Sequence, residues 1–161
     1  MTTSDRRHVR SGDRRRVPRG GRRTGDQPGR YPNLLVADSY DSARNPCVRY
    51  LDRFGFHVEA AADGNEALAM IGARPPHVIL VEAGLPHVSA SRMVRRLKEQ
   101  PRTKSIPVIV MTRDFDTAGF QPSPAAAVLV KPFALSAMLH EIRRVLREQS
   151  PLSVEGRAQN V

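Results

Sequence analysis

The sequence predicts an α/β domain built on a doubly wound, five-stranded parallel sheet. Five short apolar runs lie between turn signals along the chain, and stretches with helical periodicity separate them. Strands that alternate with helices in this way form a parallel sheet through right-handed crossovers. Polar side chains follow four of the five runs, at the end of the sheet where ligand sites of such domains collect.

The strands are predicted from runs that are apolar nearly throughout, as expected for strands covered on both faces. The third run, residues 77–82, lies between Pro75-Pro76 and Gly84-Leu85-Pro86 and is the central strand of the prediction. The second run is shorter and more polar, so we expect it at a sheet edge. The five predicted strands are residues 33–38, 57–61, 77–82, 106–112 and 127–130.

The helices are predicted from apolar residues that recur at spacings of three and four. In the first, Pro46 implies that the helix either begins there, with Asn45 as N-cap, or is distorted in its first turn. The third has a basic outer face, interpreted as solvated surface. Residues 113–124 contain a glycine and two prolines, which leave little room for a full helix. The predicted helices are residues 42–54, one opening at 63–66, about 90–99 and 134–148.

The two ends of the chain differ in composition from this domain. Residues 1–30 hold ten Arg, no Lys and three Asp, a net charge of +7 out of +10 for the chain. With almost nothing apolar to bury, residues 1–31 are predicted to be a disordered arm, residues 32–149 the domain and residues 150–161 a disordered tail. The arginines allow nonspecific contact with nucleic-acid phosphates. A solvated tail, or a start codon assigned too far upstream, is the simpler interpretation.

Composition also excludes several classes of protein. The single cysteine, Cys47, excludes an internal disulfide, suits a reducing cytosol and is predicted to pack as a small apolar residue. No apolar run approaches the ~20 residues of a membrane span, and the N-terminus lacks the apolar region of a signal peptide. We therefore expect a cytoplasmic protein without a membrane segment.

Four polar residues, Asp38, Glu82, Thr112 and Lys131, mark the ends of four predicted strands. Singly each is a weak signal, because such residues are common where strands meet loops. Their order at the ends of successive buried strands is a much stronger one, and it indicates a site at the carboxyl edge of the sheet.

The pattern resembles the receiver domain of bacterial two-component response regulators, the CheY-like domains, over roughly residues 33–148. The last of its matching stretches is close to a signature of that family. The resemblance implies a flavodoxin-like sheet with strand order 2-1-3-4-5, in one signalling domain that is not an enzyme. The matching stretches are Leu34-Leu35-Val36-Ala37-Asp38, Ala62-Asp63-Gly64-Asn65-Glu66-Ala67-Leu68, Ile79-Leu80-Val81-Glu82, Pro107-Val108-Ile109-Val110-Met111-Thr112 and Val130-Lys131-Pro132-Phe133.

The resemblance also implies roles for the strand ends. In that family an Asp after the third strand accepts a phosphoryl group from a histidine kinase, and two acidic residues after the first strand help to bind Mg²⁺. A hydroxyl and a lysine then hold the phosphate, as electrostatics requires for phosphoryl transfer. Thr112, Lys131 and Pro132 match this pattern.

This sequence departs from the family at the positions that matter most. Glu82 stands at the phosphoacceptor position, Ser39 replaces the second member of the acidic pair, and Val128 replaces the aromatic switch residue. Because Mg²⁺ loses a charged ligand at Ser39, the implied metal site at Asp38, Ser39 and Gly84 is weak or lost. We expect no cofactor, or weakly bound Mg²⁺.

Glu82 has the charge of Asp one methylene further out, which predicts an ion pair with Lys131 that fixes the site in one state. We therefore expect a stand-alone, phosphorylation-independent receiver that acts by contact with another signalling protein, a histidine kinase or an output protein. The sequence shows no DNA-binding, kinase or catalytic output domain. Two alternatives stay open: a regulator that still accepts phosphate, and a nucleic-acid binder that uses residues 1–31.

Overall fold

The computed structural model describes residues 32–113 and 125–149, which contain five strands and four helices. The predictions of a disordered arm and tail, and of a stunted helix beyond Arg113, lie outside these residues. The elements are β1 Asn33–Ala37, α1 Asp41–Arg53, β2 His57–Ala61, α2 Gly64–Ala73, β3 Val78–Glu82, α3 Ala90–Glu99, β4 Val108–Thr112, β5 Ala127–Val130 and α4 Leu135–Glu148.

The strands form one parallel sheet in the order β2-β1-β3-β4-β5. Ala37 at the end of β1 pairs with Ala61 of β2 and Val81 of β3, and Thr112 at the end of β4 pairs with Val130 of β5. The carboxyl ends of the strands therefore lie along one edge. The predicted α/β fold and strand order are confirmed, and so is the position of the polar strand β2 at a sheet edge.

Helices cover both faces of the sheet, which explains why the first four residues of its central strand are apolar. In β3, Ile79 and Val81 pack into a core with α2 and α3, whereas Val78 and Leu80 pack into a second core with α1 and α4. These four side chains are fully buried. No helix within residues 32–113 and 125–149 has both the length and the apolarity needed to cross a membrane.

Several boundaries differ from the prediction by one or two residues, and two of them have a visible cause. Helix α1 begins at Asp41, so Pro46 lies in its second turn and the predicted Asn45 cap is wrong. The guanidinium of Arg44 stabilises the earlier start, because it donates to the Asp38 carbonyl oxygen at 2.5 Å and pairs with Asp41. Strand β4 begins after Pro107, which has no N–H to offer to the ladder.

Gly64 allows the loop after β3 to pack against the start of α2. Its amide donates to the Pro86 carbonyl oxygen at 2.9 Å, and a Cβ on Gly64 would lie 2.3 Å from the Val88 carbonyl oxygen. The Asp63 side chain caps the same helix end by accepting from two backbone amides. The loop that follows Glu82 is therefore held in place by contacts that only glycine permits.

Replacing Gly64 with alanine is expected to destabilise the domain by about 1–3 kcal/mol, because a backbone atom blocks the new methyl group. Gly72→Ala is the matched control. It lies in the same helix with open space around its Cβ position, so it should be neutral or stabilising. Chemical denaturation of both variants measures the difference, and equal stabilities would contradict the packing described for this loop.

Candidate functional site

The carboxyl edge of the sheet brings together the four strand-end residues singled out by the sequence. Asp38 follows β1 and is 1% exposed, and Glu82 is the last residue of β3 and is partly buried. Thr112 ends β4, and its carbonyl oxygen accepts from the Lys131 amide at 2.7 Å. The parallel register of neighbouring strands positions all four.

An ion pair between Asp38 and Lys131 occupies the centre of the site. The Lys131 ammonium lies 2.5 Å from one carboxylate oxygen of Asp38, and the Tyr40 amide donates to the other at 2.9 Å. The predicted ion pair between Glu82 and Lys131 is therefore wrong. Asp38 is the more deeply buried of the two carboxylates, so it loses more solvation and has the greater need of a counter-charge.

Glu82 is held instead by Ser39. One oxygen of the Glu82 carboxylate accepts from the Ser39 hydroxyl at 2.7 Å and from the Ser39 amide at 3.1 Å. A second carboxylate at position 39 would repel Glu82, whereas the hydroxyl donates to it. Two of the three residues that depart from the family pattern are therefore bonded to each other, and this bonding orients the Glu82 carboxylate toward the loop after β1.

The remaining predicted site residues surround this pair of interactions. Thr112 is 6% exposed, Val128 is half-buried in β5, and Gly84 is exposed in the turn that follows β3. Pro132 is exposed and follows Lys131 through a cis peptide bond. The structure thus places the predicted residues at the same edge of the sheet or in the loops that leave it, except Val128, which pairs with Val110 further back in the sheet.

A cavity of about 490 Å³, which the sequence did not predict, opens beside the Asp38–Lys131 pair. Its walls come from α1, β4 and the loop before α4, so no local pattern reveals it. Cys47 lies in the wall and is 5% exposed, as its predicted packing requires. Burial, and then the charge of Asp38, raise the pKa of the Cys47 thiol, while Lys131 lowers it. The thiol therefore stays protonated at neutral pH.

Two exposed residues at the rim were also missed by the sequence. The guanidinium of Arg113 lies 5.1 Å from the centroid of the Tyr40 ring, a cation–π distance. Tyr40 is 51% exposed, and its own amide binds Asp38. Arg113 directly follows β4 and Tyr40 lies three residues after β1. Their closeness to strand ends is the sequence signal that could have indicated that they lie near the site.

The carboxylates at this edge are held by groups of the protein itself. Mg²⁺ takes oxygen ligands in near-octahedral geometry and is usually bound by one or two carboxylates with water. Both Asp38 oxygens already accept hydrogen bonds, and Ser39 offers a hydroxyl in place of a second acid. Among the residues that the structure describes, no three His, Cys, Asp or Glu side chains are grouped as metal ligands. Lys131 supplies the positive charge at this site.

The family described as the response regulator receiver domain matches residues 34–143, which is more than half of the chain. The chain belongs to this family. Receiver domains act in two-component signalling, where they interact with histidine kinases and output domains, and they are generally not enzymes. The family match therefore agrees with the resemblance found in the sequence.

Curated relatives of this receiver include the phosphate regulon transcriptional regulatory protein PhoB of Rhizobium meliloti (strain 1021), 27% identical over 124 residues. That match covers 74% of this chain and 54% of PhoB. The response regulator MprA of Mycolicibacterium vanbaalenii is 31% identical over 121 residues, covering 73% of this chain and 52% of MprA. The receiver thus spans about half the length of these curated relatives.

Solved structures agree with the family. The chemotaxis response regulator CheY4 of Vibrio cholerae superposes with a TM-score of 0.67 at 29% identity, covering 71% of this chain and 98% of that one. A response regulator from Chloroflexus aurantiacus J-10-fl gives 0.67 at 27% identity, covering 73% and 98%. The receiver fold of this chain is therefore shared along almost the whole length of both.

Proposed function

We propose that this receiver signals without phosphorylation, by contact with another protein of a two-component pathway. The observation that carries the proposal is the bonding of Glu82 to Ser39 at the phosphoacceptor position. A receiver needs there a carboxylate that can attack a phosphoryl group, with positive charge beside it. Here the carboxylate is one methylene longer and already accepts two hydrogen bonds.

The distribution of positive charge supports the same proposal. Lys131 neutralises Asp38 rather than Glu82, and the distance of 2.5 Å leaves no room for a cation between them. A metal ion would have to displace the ammonium and would find one carboxylate fewer than the family supplies. In this arrangement the charge of Asp38 is neutralised by Lys131 without Mg²⁺.

The function that remains for such a receiver is the recognition of a partner protein in the cytoplasm. Asp38 and Lys131 join the loop after β1 to the loop after β5, and Ser39 and Glu82 join the first of these loops to the end of β3. These bonds fix the surface around the site in one arrangement, with no catalytic step of its own. The partner is a histidine kinase or an output protein.

The proposal predicts that a phosphoryl mimic leaves the domain unchanged. Amide ¹H–¹⁵N spectra should show no shifts at Thr112 or Lys131 when beryllofluoride, a tetrahedral mimic of a phosphoryl group, is added with Mg²⁺. The control is the double variant Ser39→Asp with Glu82→Asp, which restores both family carboxylates and should shift these signals. Shifts that spread from Glu82 in the unmodified chain would contradict the proposal.

A further inference from the structure

The net positive charge of the described domain is concentrated in α3 and the turn after it. Residues 92–104 contain six basic residues and one acidic residue. Over the rest of the described chain, nine basic residues balance nine acidic ones. Five of the six basic side chains belong to exposed residues, and we call them the α3 strip: Arg92, Arg95, Arg96, Arg102 and Lys104.

The backbone beneath the α3 strip is firmly held. The opposite side of α3 is buried in the core through Ala90, Met93, Val94 and Leu97. The turn after the helix is tied back to it, because Thr103 donates through its hydroxyl to the Leu97 carbonyl oxygen at 2.8 Å. The sixth basic residue, Lys98, donates to a carbonyl oxygen of the same turn at 2.7 Å. The strip is therefore presented in a fixed arrangement.

Several basic residues elsewhere on the domain have acidic partners, which those of the strip lack. Arg44 pairs with Asp41, and Arg144 pairs with two glutamates of its own helix. Within residues 32–113 and 125–149, none of the five strip residues forms an ion pair. Like charges held close together repel one another, so binding of an anion to the strip relieves this repulsion and lowers the free energy.

We propose that the α3 strip binds the phosphodiester backbone of double-stranded nucleic acid. Four of its five side chains are guanidinium groups, which bind phosphate through two parallel hydrogen bonds. Residues 90–104 contain no aromatic side chain on which an unpaired base could stack, so contact with the backbone of a duplex is favoured over a single strand. This activity lies outside the phosphoacceptor site and goes beyond the signalling role.

The test compares two pairs of substitutions in the full chain, so that residues 1–31 contribute equally to both. Arg92→Gln with Arg96→Gln removes two charges of the strip. Arg49→Gln with Arg53→Gln removes two exposed charges with the same spacing from α1. Fluorescence anisotropy with a labelled duplex DNA of about 20 base pairs, titrated over a range of salt, measures the affinity and its salt dependence.

The strip variant should bind the duplex about tenfold more weakly. The slope of log affinity against log salt concentration should be smaller by about 2, because each phosphate contact contributes about 0.9 to that slope. The α1 variant should stay within about twofold of the unmodified chain. Equal losses in the two variants would overturn the proposal. Melting curves confirm that both variants fold.

A substitution that removes a negative charge instead of a positive one keeps the test decisive if the strip variant folds poorly. Glu99 is the acidic residue of the segment and is exposed, so Glu99→Gln should tighten duplex binding. Unchanged or weaker binding would count against the strip. Polyglutamate of matched charge serves as a competitor. If it displaces the duplex at equal charge concentration, the strip fits an acidic protein and the nucleic-acid assignment is wrong.

Discussion

Lys131→Ala is expected to destabilise the domain by about 3–5 kcal/mol, because it leaves the Asp38 carboxylate buried without a counter-charge. Asp38 is 1% exposed, so water cannot easily take the place of the ammonium. The adjoining cavity lets some water approach, which favours the lower end of this range. Urea denaturation at neutral pH measures the loss.

Two further variants identify the cause of that loss. Asp38→Asn in the Lys131→Ala background removes the isolated charge and should recover much of the stability, a non-additive result that is typical of partners in contact. Lys104→Ala, an exposed lysine far from the site in sequence, should change stability by no more than about 0.5 kcal/mol. A neutral Lys131→Ala variant would show that the ion pair contributes nothing.

Glu82→Asp combined with Ser39→Asp is expected to restore phosphoryl transfer from acetyl phosphate. Glu82→Asp alone supplies the acceptor that the family uses. It leaves Ser39 at the second acidic position, so it should recover little phosphoryl transfer. The double variant supplies both carboxylates, while Thr112 and Lys131 are already at the site. In this chemistry a bound Mg²⁺ would neutralise the charge of the moving phosphoryl group. The second carboxylate would help to bind that Mg²⁺, so its presence should decide the rate.

The comparison between single and double variants isolates the role of Ser39. Because both changes act on one site, their effects should not add. If Glu82→Asp alone became labelled as fast as the double variant, the hydroxyl at position 39 would not be a lesion. The interpretation of Ser39 as a partner that holds Glu82 would then lose its functional meaning, although the hydrogen bonds would remain.

The fold could be predicted from the sequence because apolar runs and helical periodicity are local signals. β2 and β5 have the predicted bounds. Gly55 and Asp63 lie within two residues of the ends of β2, and Pro124 and Lys131 lie within three residues of the ends of β5. The start of α1 could not be predicted, because it depends on Arg44 reaching back to the Asp38 carbonyl oxygen and to Asp41. Contacts of this kind depend on how a loop closes, which no periodicity reports.

The members of the candidate site were predictable, but their pairing was not. Parallel strands bring their carboxyl ends to one edge whatever the side chains do, so Asp38, Glu82, Thr112 and Lys131 had to be neighbours. Which carboxylate receives the ammonium depends on burial, and Asp38 is buried more deeply than Glu82. The Ser39 hydroxyl then satisfies Glu82. The sequence identified Ser39 and Glu82 as departures from the family without showing that they bond to each other.

The central claim, that the site does not accept a phosphoryl group, is tested most directly on the unmodified chain. Incubation with acetyl phosphate and Mg²⁺, followed by intact mass spectrometry, should show no added phosphoryl group, while the Ser39→Asp, Glu82→Asp variant in the same experiment gains one. A phosphoryl group on the unmodified chain that disappears in Glu82→Gln would contradict the account.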